Sequence, residues 1–178
     1  GESKRPYLET DSKNPLGVYG KTKSEAEDNI IEYLETYFII RTSWLYSQYN
    51  QNFLKSMLDL AQNSNEIRIV KDQIGCPTNA NDLAHLICKI IDSGSKTFGV
   101  YHFCNKGEAS WHSFAEEIFR KWDIKVDIKP IKTSEYPTAA KRPKYNVLDT
   151  SKTERIFNFN INSWKDALHN FNLTQNKE

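Results

Sequence analysis

Tyr19 and Lys23 stand four positions apart, which on a helix places a phenol and an ammonium one above the other on the same face. A phenol's ordinary pKa is about 10, and an adjacent ammonium is what brings its proton into play near neutrality. A tyrosine so placed can give its proton to a carbonyl oxygen while a hydride arrives at the carbon. Tyr19, Lys23, Ala26, Ile30, Tyr33 and Tyr37 recur at spacings of 4, 3, 4, 3 and 4, the pattern of a buried helical stripe. A lysine in such a stripe is out of place unless its charge is used. The pair is unspecific by itself. With nine tyrosines in the chain, about one Tyr-x-x-x-Lys arises by chance, the alternative being a solvated lysine beside a packed tyrosine.

The elements that would position this pair must come from a soluble α/β chain. Its 178 residues suffice for one core or slightly more, and 38% hydrophobic with 26% charged residues is ordinary for a globular protein. The 24 basic and 23 acidic residues are well mixed, which excludes the electrostatic footprint of a nucleic-acid binder. No apolar run approaches the ~18 residues of a membrane span, and the polar start is no signal peptide. Cys76, Cys88 and Cys104 lack metal spacing and any C-x-x-C, and His85, His102, His112 and His169 form no ligand pairs with them. They read as reduced structural thiols of a cytoplasmic protein with no metal site.

Asn14 followed by Pro15 predicts a helix from Pro15 to about Glu35 that carries the stripe. Residues 37–45 form an apolar run that turns polar at Arg41-Thr42-Ser43, as a buried parallel strand does where its carboxyl end faces a ligand crevice. Asn52 caps a helix bearing Phe53, Leu54, Met57, Leu58 and Ala61, and residues 67–70 make a brief strand. Asn79 or Asn81 begins a helix bearing Leu83, Leu86, Ile87, Ile90 and Ile91, and residues 100–104 follow as a strand. Ser110 caps a helix over Trp111–Trp122, and residues 126–131 alternate as a half-buried strand. A long irregular stretch, 132–147, carries Pro137 and Pro143. Ser151-Lys152-Thr153-Glu154 reads as a capping box, and Ser163 caps a last helix with Trp164, Leu168 and Phe171 before a frayed tail from Thr174 to Glu178. Glu116, Glu117 and the lysine-containing tail read as solvated faces, and His102 as a structural histidine. Helices alternating with strands indicate parallel pairing.

Several runs together resemble the dTDP-4-dehydrorhamnose reductase family of extended short-chain dehydrogenases. They are Arg5-Pro6-Tyr7, the run from Pro15 to Lys23, Arg41-Thr42-Ser43-Trp44-Leu45-Tyr46, Asn52-Phe53 and the run from Asp72 to Thr78. Gly99-Val100-Tyr101-His102, Ser110-Trp111, Tyr136-Pro137-Thr138, Arg142-Pro143 and Leu148-Asp149 complete the set, in the family's order and spacing. The resemblance implies a partial Rossmann-type parallel sheet with helices plus a small α+β substrate-binding lobe. Residues 1–64 and 80–124 would belong to the Rossmann part, and 65–79 with 125–173 to the lobe.

It further implies reduction, by NADPH or NADH, of the C4 keto group of a dTDP-linked 6-deoxy-4-keto sugar to give dTDP-L-rhamnose, with Mg2+ as the one further cofactor to consider. Tyr19 would be the general acid, and Lys23 would assist it and bind the nicotinamide ribose, with Thr42 also at the cofactor. Trp44 would pack on the deoxysugar, Arg142 would pair with its pyrophosphate, and Asn52 and Gln73 would complete the substrate site. Thr78 is read equally as a substrate-domain residue and as a turn residue. Asn146 departs from a family position that is often serine. The larger departure is that no strand with a glycine-rich turn precedes Tyr19, and that turn is what holds a dinucleotide pyrophosphate. The chain is therefore expected to be the carboxyl-terminal portion of a longer reductase, inert alone and prone to form a homodimer. A nucleotide-sugar epimerase, or a non-catalytic relative that binds a partner enzyme, is the alternative.

Overall fold

In the computed structural model, which describes residues 3–138 and 140–173, helices and short strands alternate. Their order is α1 (Val18–Tyr33), β1 (Phe38–Arg41), β2 (Leu45–Tyr46), α2 (Phe53–Asn63), β3 (Glu66–Val70), β4 (Ile74–Gly75), β5 (Thr78–Asn79) and α3 (Ala80–Asp92). There follow β6 (Gly99–His102), β7 (Ala109–Ser110), α4 (Trp111–Lys121), β8 (Asp127–Ile131), α5 (Ser151–Phe157) and α6 (Trp164–His169). The tail 174–178, expected to fray, lies outside the described residues.

The strands pair in four ladders of two: β1 with β6, β2 with β5 and β3 with β8, all parallel, and β4 antiparallel to β7. Parallel partners need a crossover, and helices provide it, as the alternation predicts. Phe38 and Ile40 of β1 face Leu86, Ile90, Tyr101, Phe103 and Phe157 in one core, which joins β1, β6, α3 and α5. A larger core gathers Tyr46, Leu54, Met57, Ile67, Ile69, Phe114, Ile118, Trp164 and Leu168, from β2, α2, β3, α4 and α6. Residues 53–63 and 111–121 pack with β3 and β8, whereas α5 packs on β6. Helical spacing shows that a face is buried, but not against which neighbour.

Local signals placed most helix starts. Asn52 accepts from the Lys55 N–H, Asn79 from Asn81, Ser110 from Ser113 and Ser163 from Asp166. Three readings are corrected. α1 starts at Val18 with Gly17 at its cap position and no side-chain cap, so Asn14 does not cap it. Instead Pro15 folds back on the first turn, where a Cβ on Gly20 would lie 3.0 Å from the Pro15 Cβ. Ser151 opens no capping box. Thr150 holds the cap position, Asp149 accepts the Ser151 N–H at 2.9 Å, and Glu154 turns to Lys106 at 2.7 Å. Glu117 is no solvated residue: it is 2% exposed, taking His169 Nε2 at 2.6 Å and pairing with Arg120.

The stripe on α1 is the fourth correction. No residue of α1 is buried, and Tyr19 and Tyr33 are 77% and 76% exposed. What ties the helix down is charge. Arg41, at the end of β1, donates from Nε and Nη2 to both oxygens of Glu27 at 2.8 and 2.6 Å, and Lys13 pairs with Asp28. The periodic pattern marks a face suited to burial, and the described residues of this chain do not cover it.

Candidate active site

Tyr19 and Lys23 do share a face, with Lys23 Nζ 5.6 Å from the centroid of the Tyr19 ring. Their position follows from the Arg41–Glu27 pair, which fixes α1 against the strand whose polar end leads into Thr42. The Glu27 carboxylate raises the Arg41 pKa, so the guanidinium stays charged at any physiological pH. Beneath it His102 is buried, with Nδ1 3.1 Å from the Tyr7 carbonyl and Nε2 3.5 Å from Arg41. Those partners require the neutral ring with its proton on Nδ1. Burial pushes the His102 pKa below the usual histidine value, Glu9 opposes this and Arg41 reinforces it. His102 is structural, as its sequence position suggested.

Tyr19 opens onto a cleft of 650 Å³ between the start of α1 and the proline-marked loop, with walls that include Leu16, Val18, Arg142, Pro143, Tyr145 and Asn146. A second cleft, of 400 Å³, has an apolar floor of Phe53, Met57, Leu60, Ile67 and Trp111 and a rim of Arg68, Tyr136 and Thr138. Arg142 lines both. It thus stands where a ligand reaching from Tyr19 into the aromatic cleft would pass.

The turn after β1 carries Trp44 with φ at +43°, a left-handed conformation rare for a bulky residue. Thr78 pins that turn: its N–H donates to the Trp44 carbonyl at 3.0 Å and its hydroxyl to the Ser43 carbonyl at 2.6 Å. Fully buried, Thr78 serves the turn. Trp44 lines neither cleft. It stacks on Trp111, with ring centroids 3.5 Å apart and planes 8° from parallel. Thr42 is exposed just past β1, while Asn52 spends its amide on the Lys55 N–H and the Ser47 carbonyl. Gln73 borders the second cleft, but its amide is engaged by Trp111 and Thr133. Of the residues singled out on sequence, the structure therefore brings Tyr19, Lys23 and Arg142 to open cleft surface or beside it. Trp111 was read as a helix residue and part of a family run, with no role in the site. A tryptophan directly after a cap is the signal that could have marked it, because the first turn of a helix often borders a crevice.

Cys76 and Cys104 are buried and free, and Cys88 is exposed. The Cys76 thiol and burial together push the Cys104 pKa far up, which leaves that thiol unreactive. Among the described residues no group of three or more His, Cys, Asp or Glu side chains is placed to hold a metal ion, and no helix is long and apolar enough to cross a membrane.

Comparison with known proteins decides the kinship. The family model described as RmlD substrate binding domain matches residues 1–175. The chain belongs to that family. Among relatives of this RmlD-domain chain, the dTDP-4-dehydrorhamnose reductase of Sinorhizobium fredii is 37% identical over 171 residues, 91% of this chain and 58% of its own length. A dTDP-4-dehydrorhamnose reductase ortholog from Clostridium acetobutylicum superposes with a TM-score of 0.90 at 41% identity, over 96% of this chain and 60% of that one. The Bacillus anthracis reductase, solved in complex with NADP, gives a TM-score of 0.87 at 38% identity, over 93% and 58%. The chain thus spans 58–60% of the length of these relatives. The partial Rossmann-type α/β fold expected from the sequence is the fold found.

Proposed function

We propose that this chain is the substrate-binding portion of a dTDP-4-dehydrorhamnose reductase, which reduces the C4 keto group of a dTDP-linked 6-deoxy-4-keto sugar with NADPH. The observation that carries this reading is Arg142 at the junction of two clefts. The deoxysugar fits beside Tyr19, the pyrophosphate at the guanidinium, and the thymidine over the apolar floor around Phe53 and Trp111. A guanidinium suits a diphosphate because its planar donors bind bidentately.

The dinucleotide supplies the hydride when bound. Tyr19 and Lys23 fit its ribose, since phenol and ammonium stand side by side on a face that the described residues leave open. The Tyr19 hydroxyl gives its proton to the C4 oxygen as negative charge develops there, and the Lys23 ammonium favours the phenolate that remains. Thr42, exposed beyond β1, joins the cofactor side, and Trp44 the sugar side. Residues 1–64 and 80–124 belong to the Rossmann part in this reading, and 65–79 with 125–173 to the substrate-binding lobe. The exposed apolar face of α1 (Val18, Tyr19, Ile30, Tyr33) is where the rest of the full-length enzyme packs. In the isolated chain a homodimer covers it. A cytoplasmic site of action belongs to the same reading.

The test is NADPH oxidation by the full-length protein with the dTDP-linked keto sugar. Turnover is expected. A protein that binds NADPH yet never turns over refutes the reductase reading and favours a non-catalytic relative, whereas turnover of only another nucleotide sugar favours an epimerase-like enzyme.

A further inference from the structure

Trp44 is held on three sides. One face lies on Trp111. Its Nε1–H reaches the Asn146 side-chain oxygen at 3.3 Å when the Asn146 nitrogen donates to the Ile74 carbonyl at 2.8 Å. Behind it Gly75 leaves no room, since a Cβ there would come within 2.5 Å of the Trp44 Cε2 and 2.7 Å of its Nε1. A ring so enclosed takes its plane from its neighbours, and the largest of these is Trp111.

Trp111 is held in turn by a chain of hydrogen bonds with a fixed direction. Asp72 Oδ1 accepts from both the Thr133 N–H at 2.8 Å and the Thr133 hydroxyl at 2.7 Å. An ionised carboxylate only accepts. Desolvation is the largest single influence on Asp72 and raises its pKa, but the hydrogen bonds from the Thr133 hydroxyl and backbone N–H groups together outweigh it and hold the carboxyl below its usual range. The Thr133 hydroxyl must therefore point its proton at Asp72 and its lone pairs outward. They take the Gln73 Nε2 at 3.1 Å, which turns Gln73 Oε1 toward the Trp111 Nε1–H, 3.1 Å away. One carboxylate thus dictates the orientation of every group up to the indole. Gln73 is buried and both ends of its amide are occupied, so it has little left to offer a ligand directly.

We propose that Gln73 is a positioning residue: the chain Asp72–Thr133–Gln73 sets the plane of Trp111, which floors the apolar cleft, and through the stacked rings that of Trp44. This rests on the reductase reading, in which the thymidine of the sugar nucleotide lies over Trp111. Gln73 acts at a distance from the reacting atoms, and nothing in the chain of bonds reaches toward the α1 face assigned to the cofactor.

The experiment uses the full-length protein with Gln73→Leu, and with Thr133→Val to break the same chain from its far end should the first variant fold poorly. Trp111→Phe keeps a stacking ring without the N–H. Gln73→Leu and Thr133→Val should raise KM for the keto sugar roughly tenfold or lower kcat to that extent, because small misplacements at a binding platform are that damaging. KM for NADPH should stay within about twofold, since positioning of one substrate is not uniform binding of both. The exciton couplet of the stacked indoles in circular dichroism, identified by its loss in Trp111→Phe, should shrink in both. Unchanged sugar kinetics with an unchanged couplet overturn the proposal, as does an equal loss toward sugar and NADPH, which is what a merely structural role gives. An unsubstituted protein that does not reduce the sugar overturns the functional reading and this proposal together, and is told apart because no substitution is involved.

Discussion

Gly75→Ala tests the packing around Trp44 by adding one carbon. Gly75 lies in β4, paired with Ala109, and its φ is not among the positive values that demand glycine. In open space the change would stabilise by about 0.4–1 kcal/mol, through fewer conformations of the unfolded chain. Here the new methyl would press on the Trp44 ring and the Asn146 side chain. Neither can swing clear: the indole is backed by Trp111, and the Asn146 backbone N–H is bonded to Ile74 at 2.9 Å. Overpacking of a filled site costs about 1–3 kcal/mol. The steric effect wins, and a net loss of about 1–2 kcal/mol is expected, which for a chain of this size lowers Tm by roughly 2–8 °C. Thermal unfolding followed by circular dichroism measures it, with tryptophan fluorescence reporting the displaced indole. A Tm equal to or above that of the unsubstituted chain would refute the reasoning, because it would mean that Trp44 does not rest on Gly75.

In the full-length protein, Tyr19→Phe and Lys23→Met should each lower kcat by about 10² or more, by removing a positioned acid or the charge beside it; near-normal turnover in either defeats the assignment. His102 is held neutral by burial, so its contribution to stability is complete above its unfolded value of about 6.5 and is lost as pH falls from there through its folded value. Urea midpoints between about pH 7 and pH 5, above the range where carboxylates titrate, should therefore fall less steeply for His102→Asn, which keeps the donor toward Tyr7; equal slopes would contradict this. Glu117→Gln should lose only about 1–2 kcal/mol, because His169 and Arg120 are left in solvent. His169→Ala with Arg120→Ala leaves a buried unpaired carboxylate and should lose about 3–5 kcal/mol, restored in part by adding Glu117→Gln. Calorimetric titration of the 178-residue chain alone with NADPH should show no micromolar binding, since it contains no glycine turn to hold the pyrophosphate; such binding would show that the rest of the enzyme is not needed.

What was legible in the sequence was local. Asn52, Ser110 and Ser163 cap their helices because a cap bonds a backbone group two or three residues away, and that distance is written in the order of residues. β1 and β6 were legible as short apolar runs, but the turn at Trp44 was not: residues 37–45 read as one strand, whereas β1 ends at Arg41 and Trp44 turns left-handed before β2. What escaped reading depends on distant partners. Glu117 sits among charged residues, and only the return of His169 on α6 buries it. The stripe on α1 identifies a face able to be covered, yet its cover is not local and here is not made by the described residues. Gln73 is a polar residue in a family run, which suggested a ligand, and Thr133, sixty positions on, is what occupies its amide. The Ser151 box failed for the narrowest reason, one residue of register, because Asp149 bonds the backbone first.

The four two-stranded ladders also have a consequence during synthesis. A chain that emerges from its amino end exposes β1 long before β6, and β3 long before β8, its only ladder partner among the described residues. Loop closure must precede the reward of pairing, so topologies of this kind mature slowly compared with helical bundles. Until β6 and β8 arrive, Phe38-Ile39-Ile40 and Ile67-Arg68-Ile69-Val70 wait as open apolar edges, the form most easily captured by another nascent chain. Arg41 directly follows the first of these segments and Arg68 lies within the second. A charge at such a place discourages stacking on a foreign strand while leaving the native parallel register intact.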